Sequence, residues 1–240
     1  MISIITPVYN GAKFIEKNIE SISNLDIPFE HIIVDGGSTD GTIELINKYP
    51  HIKLIMQQGN RGMYQAIDIG MKHANFEYAS WINADDLIDP LTYSKFVTIS
   101  KKNNYDFSYS NAYHYYLNSN NKKKIYSKHF ARTLLKIGVF PFVQSSVLFK
   151  KECYFKIGGF RFELFRIIGD RDLFQRIAYD NSIKFGYVNI FSSYFLMHDD
   201  SLLHKNKDLR LKEQSYCIKS LNNPLMGLYF RISNIIRRII

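Results

Sequence analysis

Four groups of polar side chains are placed where they could do chemistry. Asp85 and Asp86 come just after an apolar run, Tyr78–Ile82. Two adjacent carboxylates repel one another unless water or a cation compensates them, and a hard divalent ion such as Mg2+ or Mn2+ would do so together with substrate phosphate oxygens. The pair also suits a solvated turn before the helix start at Asp89–Pro90. Asp35 ends another apolar run and is followed by Gly36–Gly37. A carboxylate there can accept hydrogen bonds from a base or ribose edge, and the glycines let a ligand approach the backbone; a tight turn with a helix cap needs the same residues. Asp170 and Asp172 open a helical stretch, IGDRDLFQR. Spaced by two they diverge, so one can face a cleft as a general base while the other caps the helix or pairs with an arginine. His198 stands beside Asp199 and Asp200 and offers either a metal-ligating imidazole or a hydrogen-bonded surface or core histidine. No HExxH or CxxC spacing accompanies it, which argues against zinc.

The elements that must carry these groups are legible from periodicity. Ser3–Val8, His31–Val34, Lys53–Met56 and Tyr78–Ile82 are short apolar runs that read as buried strands. Between them, Phe14, Ile15, Ile19 and Ile22 recur at helical spacing, Asp40 is placed to cap a helix through Lys48, and Met63–His73 reads as a third helix. Alternating strands and helices predict an α/β layered domain with a mostly parallel central sheet. Ligands in such sheets bind beyond the carboxyl ends of the strands, where Pro7–Asn10, Asp35 and Asn83–Asp86 all fall. Farther on, Asp106–Tyr116 is strand-like, Asn118–Lys124 reads as an exposed loop and Val143–Phe149 as a strand. Lys151–Lys156 and Asp170–Tyr179 read as helices, and Lys184–Leu196 as one or two strands.

The order of these motifs resembles the family 2 glycosyltransferases, inverting enzymes of GT-A fold, in the type that builds bacterial cell-surface polysaccharide. TPVYN (6–10), IVDGGSTDGT (33–42), GMYQAIDIG (62–70) and NADD (83–86) match the nucleotide and metal segments. IGGF (157–160), GDRDL (169–173) and MHDDS (197–201) match the acceptor side, so the likeness runs over about residues 1–203. The resemblance implies a single Rossmann-like domain, with a nucleotide-sugar half over 1–90, an acceptor half over 91–203 and a basic extension over 204–240. It implies that Thr6, Pro7 and Tyr9 line the nucleobase pocket, that Asp35 contacts the base, and that Arg61 meets the diphosphate. Asp85 would bind ribose or share the metal with Asp86, His198 would join the metal or diphosphate site, and Asp170 would be the catalytic base. Mn2+ or Mg2+ is the implied cofactor, a nucleotide-sugar (UDP-sugar foremost) the donor, and a glycan or lipid-linked hydroxyl the acceptor. Asn83, Gly169, Arg161 and Val143 depart from the common pattern, mostly on the acceptor side.

Composition sets the outer bounds. The chain has 240 residues, 46% hydrophobic and 15% aromatic, enough for a substantial core. Two cysteines make no disulfide framework, and no apolar run approaches the ~20 residues of a membrane span. The amino terminus has no signal-peptide pattern, so a cytoplasmic protein is expected. The net charge is +9, and +6 of it falls in residues 205–240, with eight basic and two acidic residues. There Leu225, Leu228, Ile232, Ile235, Ile236 and Ile239 share one helical face opposite Arg231 and Arg238. Such a helix suits either an anionic membrane at its cytoplasmic face or packing on protein, including a homo-oligomer. No recognition fold or stacking platform points to nucleic acid. A catalytically silent nucleotide-sugar or glycan-binding protein is the alternative. A sugar-nucleotide pyrophosphorylase fits less well, because PVYNGAKF (7–14) holds one glycine and no arginine.

Overall fold

The computed structural model describes residues 1–57, 62–198 and 206–220, with the side chains of 207 and 218–220 left aside. The first half alternates strand and helix: β1 (Ile2–Val8), α1 (Ile15–Ser23), β2 (Phe29–Asp35), α2 (Thr42–Ile46), β3 (Ile52–Met56), α3 (Met63–His73) and β4 (Tyr78–Trp81). Then come β5 (Leu87–Ile88), α4 (Pro90–Lys102), β6 (Phe107–Tyr116), β7 (Asn121–Ile125) and α5 (Ala131–Lys136). A 3-10 turn at Gln144–Ser146 leads into β8 (Val147–Lys150), followed by α6 (Lys151–Lys156), α7 (Gly169–Tyr179), β9 (Phe185–Met197) and α8 (Lys207–Ser220).

Among the described residues the strands form one sheet in the order β3-β2-β1-β4-β8-β6-β9-β5, with β7 paired to β6. The pairs within β3-β2-β1-β4 are parallel, as the alternating pattern predicts. Beyond β4 the sheet is mixed: β4–β8, β8–β6, β6–β7 and β9–β5 are antiparallel and β6–β9 parallel.

Every residue of β1 is buried, because helices cover both faces of the sheet. Ile2 and Ile4 pack with Ile22 of α1 and with Tyr93, Phe96 and Val97 of α4. Ile5 packs on the opposite side with Tyr64, Ile67 and Met71 of α3 and with Leu173, Phe174 and Ile177 of α7. The α3 helix lies so close to β1 that a Cβ on Gly70 would come within 2.4 Å of the Ile5 side chain, so only glycine fits there. Pro7 lies beyond the last β1–β4 pair, Ile5–Trp81, where its missing N–H interrupts no ladder on that side.

Three local expectations need correction. Asn118–Lys124 is not simply a loop, since residues 121–125 form the edge strand β7. Its stability comes from across the sheet: Lys122 lies over the Tyr115 and Tyr194 rings and Lys124 over Phe191. The α2 helix ends at Ile46 rather than Lys48, and its cap position is Gly41. Asp40, one residue earlier, still accepts from the Thr42 backbone N–H at 3.2 Å. The segment 143–149 begins with the 3-10 turn before it extends. The amphipathic helix expected over residues 225–239 lies outside the described residues. Among those described, no helix is long and apolar enough to cross a membrane.

Candidate active site

The carboxyl ends of β1, β2 and β4 bring the first three motif loops together. The loop after β1 is tied to the loop after β2 by four contacts. The Asn10 N–H donates to Ser38 Oγ at 2.8 Å, and Thr39 N–H donates to Asn10 Oδ1 at 2.9 Å. Gly11 N–H donates to Thr42 Oγ1 at 2.9 Å, and Ala12 N–H to Asp40 Oδ2 at 3.0 Å. Asp35 organises this junction from below. It is fully buried, and its carboxylate accepts from Gly37 N–H and Ser38 N–H, both at 2.7 Å, and from the Ser38 hydroxyl at 2.6 Å. Its oxygens are thus engaged by their own loop. Tyr9 is 53% exposed and lies against Gly36, where a Cβ would meet the Tyr9 Cβ and ring Cδ2, both at 3.4 Å. Thr6 and Pro7 do not line this surface: both are buried in β1, and Thr6 Oγ1 is bonded to His31 Nε2 at 2.9 Å. Alternation along the strand and helices on both faces put them in the core. Arg61 lies outside the described residues.

The loop after β4 separates the two adjacent carboxylates. Asp86 turns inward, 1% exposed, and Oδ1 accepts from the Leu196 backbone N–H of β9 at 3.1 Å. Burial, then the neighbouring Asp85 charge, push its pKa well above the ordinary carboxylate range. Asp85 turns outward, its side chain 32% exposed, with Oδ2 2.9 Å from His198 Nε2. The His198 ring in turn packs on Phe14, centroids 4.8 Å apart. Of the two carboxylates expected at a metal, Asp85 is the more accessible, since Asp86 is buried with Oδ1 bonded to β9. The loop is also gripped from α1: the Asn18 side-chain amide donates to the carbonyls of Asn83 (3.0 Å) and Asp86 (2.8 Å).

The residues fit a divalent cation in part. Asp85 and His198 converge, and Asn83 Oδ1 is buried without a protein partner, an oxygen and nitrogen donor set suited to Mn2+ or Mg2+. Among the described residues no three His, Cys, Asp or Glu side chains close around one point, so phosphate oxygens and water would complete such a sphere.

On the other face, the start of α7 divides Asp170 from Asp172. Asp172 is fully buried and held by Arg161, which donates from Nε at 3.0 Å and from its terminal nitrogen, and by Arg176 at 2.9 Å. Asp170 is partly exposed; against the raising effect of burial the neighbouring Arg171 charge lowers its pKa, but no salt bridge like those on Asp172 forms on it among the described residues. The Tyr64 hydroxyl is shared between Asp170 Oδ1 (3.1 Å) and the Ile167 carbonyl (3.0 Å), and Arg171 N–H donates to the same Asp170 oxygen at 2.8 Å. Desolvation raises the Asp170 pKa in spite of these donors. Burial raises the Tyr64 phenol well above its usual value, which keeps it a donor. A partly exposed carboxylate of raised pKa is suited to accept a proton as a general base.

Several residues here escaped the sequence reading. Asn18 carried one signal, a polar side chain on the apolar stripe of α1. Arg166, whose guanidinium would meet a side chain at Gly62 at 3.3 Å, brings positive charge to the start of α3. Asn10 and Tyr64 lie inside the motifs TPVYN and GMYQAIDIG, but nothing local marks the part each plays.

Comparison with known proteins follows this geometry. The family model described as glycosyl transferase family 2 matches residues 3–170. An uncharacterized glycosyltransferase of Rickettsia typhi, RT0329, is 28% identical over 213 residues, covering 86% of this chain and 64% of that protein. S. aureus TarS 1-349, solved in complex with UDP-GlcNAc, superposes with a TM-score of 0.68 at 16% identity, covering 83% of this chain and 59% of that one. The mannosyltransferase PcManGT from Pyrobaculum calidifontis, in complex with GDP-Man and Mn2+, gives a TM-score of 0.68 at 19% identity, covering 94% and 68%. These superpositions establish the GT-A fold. The chain spans between a third and just under two thirds of the length of the first curated relatives it matches.

Proposed function

The chain belongs to glycosyl transferase family 2, and on that footing we propose that it transfers a sugar from a nucleoside diphosphate-sugar to a hydroxyl of a glycan or lipid-linked acceptor, with inversion. The observation that carries this reading is Asp170: a partly exposed carboxylate at the start of α7, raised in pKa by burial and held by Tyr64, while its neighbour Asp172 is locked by two arginines.

In this mechanism the base ring lies on Tyr9, beside the loop that Asp35 holds in shape. Asp35 contributes through Gly37 and Ser38, whose amides it fixes. Asp85 and His198 would hold a divalent cation, Mn2+ or Mg2+, which would supply Lewis-acid stabilisation of the departing diphosphate. Asp86 keeps that loop in register with β9 rather than facing the donor. Asp170 takes the proton from the acceptor hydroxyl as that oxygen attacks the anomeric carbon. The bond from that carbon to the phosphate oxygen breaks, and the nucleoside diphosphate leaves. A relative from Staphylococcus epidermidis named poly-beta-1,6-N-acetyl-D-glucosamine synthase, 34% identical over 92 residues, supports work on surface polysaccharide. UDP is the leading nucleotide, the cytoplasmic membrane face the working place.

The test is release of nucleoside diphosphate from UDP-GlcNAc, UDP-glucose, UDP-galactose and GDP-mannose with Mn2+, followed by an acceptor screen. Asp170→Asn should keep nucleotide binding and lose about 10²–10⁴ in transfer rate. The wild-type acid limb should lie above the ordinary carboxylate range, because Asp170 must be ionised to act. Tight nucleotide binding with no release from any donor would favour a silent nucleotide-sugar-binding protein instead.

A further inference from the structure

The family-matched segment ends at residue 170, yet the loop that delivers Asp170 is held from outside it. Glu213, in the middle of α8, is 5% exposed. Its carboxylate receives three consecutive backbone amides, Arg166 N–H on Oε1 at 2.7 Å and Ile167 N–H and Ile168 N–H on Oε2 at 2.9 and 3.0 Å. Three successive amides aimed at one point form a concave anion receptor, and here the anion is supplied by the chain itself. The opposite side of the same loop is fixed by Tyr64, whose hydroxyl donates to the Ile167 carbonyl as well as to Asp170. Ile168 then turns the chain (φ −123°, ψ 28°) into α7, of which Asp170 is the second residue. One turn after Glu213, Cys217 is fully buried against Phe165, Ile167 and Ile168, and its thiol lies 3.1 Å from Gln175 Oε1 of α7.

We propose that Glu213 is a positioning residue for Asp170, so that α8 completes the catalytic centre rather than belonging to a separable tail. The inference rests on reading Asp170 as the base. A buried carboxylate is costly unless its oxygens are satisfied, and the Glu213 oxygens are satisfied by the loop amides. The loop amides in turn gain a charge-assisted partner, which fixes the backbone two to four residues ahead of Asp170. Displacing a reacting group by about 1 Å can cost on the order of a hundredfold in rate, so the grip matters for turnover more than for nucleotide binding.

The experiment uses the full chain with Glu213→Ala and Glu213→Gln, and Ile22→Val as a control that lowers stability far from this loop. Amide hydrogen exchange over residues 166–168 and steady-state kinetics with the active donor of the panel are both measured well below the melting transition. Glu213→Ala should speed exchange of these three amides at least about tenfold with the β1–β4 core unchanged. It should lower kcat about 10- to 100-fold while donor KM and UDP affinity stay within about threefold. Glu213→Gln, which retains one acceptor oxygen, should fall between, and it keeps the test decisive if the alanine variant does not fold. The proposal is overturned if kcat stays within about twofold, if kcat and donor binding fall together, or if Ile22→Val lowers kcat as much as Glu213→Ala. Failure of the underlying reading looks different: a wild-type chain that releases no nucleotide, or an Asp170→Asn variant at the wild-type rate, removes Asp170 as base and this proposal with it.

Discussion

Tyr64 Oη lies 3.1 Å from Asp170 Oδ1, joining α3 to the first turn of α7 across 106 residues of sequence. Its ring fills the place where a side chain at residue 169 would stand: a Cβ there would meet Tyr64 ring carbons at 2.7 Å. Residue 169 accommodates only glycine because Tyr64 takes that space.

Replacing Tyr64 by Phe should leave the ring packed and remove one donor. Donation from Tyr64 holds the Asp170 pKa down against burial, so its loss moves the pKa further up. The acid limb of kcat/KM shifts to higher pH, so the rate falls on the acid side of the profile, where less of the base is ionised. The Ile167 carbonyl also loses its partner, at a stability cost of about 1–3 kcal/mol. A pH–rate profile and denaturant unfolding measure the two effects separately. An unchanged acid limb would count against the coupling.

Gly169→Ala should be destabilising although alanine favours helices. The added methyl group overlaps an aromatic ring that is 2% exposed and packed on Phe160, centroids 4.7 Å apart. Overpacking of this kind costs about 1–3 kcal/mol. The double variant with Tyr64→Ala should recover part of that loss, which a double-mutant cycle reads as coupling between the two sites.

Asp172→Asn should damage stability. The Asp172 carboxylate is fully buried between Arg161 and Arg176, whose side chains are 33% and 17% exposed. Losing its charge leaves both guanidinium groups with a weaker partner; with allowance for their solvent access the cost is about 2–3 kcal/mol. Urea unfolding at neutral pH is the measurement. Nucleotide affinity of the folded fraction should be unchanged.

Asp86→Asn should alter the pH dependence of stability. In the folded chain Asp86 holds its proton to a higher pH than when unfolded, so its contribution is fully present at low pH and is lost as pH rises through the raised value. Without metal, the wild type should lose melting temperature relative to Asp86→Asn across that range, since asparagine retains an acceptor for Leu196 N–H. Added Mn2+ should narrow the difference on the alkaline side, where cation binding offsets the charge. Parallel melting curves for the two proteins would contradict the assignment.

Much of this arrangement was legible before any coordinates. The apolar runs ending at Val8, Val34 and Ile82 read as strands because a sheet covered on both faces demands unbroken apolar stretches, and β1, β2 and β4 fall there. The short antiparallel additions were not: β5 has only two residues, and β7 is a lysine-rich strand whose aromatic partners are on β6 and β9. Asp35 was correctly placed at the strand end, but nothing local revealed that Gly37 and Ser38 would take up its oxygens. Residues 204–220 read as the start of a basic extension because the charge changes there. Glu213 and Cys217 instead anchor α8 to the loop before α7.

The sequence by itself determined the layered α/β plan and the edge at which the carboxylates gather, because periodicity and turn chemistry are local. Tertiary structure alone decided which member of each carboxylate pair is available. Asp85 rather than Asp86 is open because β9 offers Asp86 a backbone amide 110 residues away. Asp170 rather than Asp172 is open because Arg161 and Arg176 neutralise the latter from two directions. A buried charge is tolerable only where the fold supplies its partner, and those partners come from distant parts of the chain.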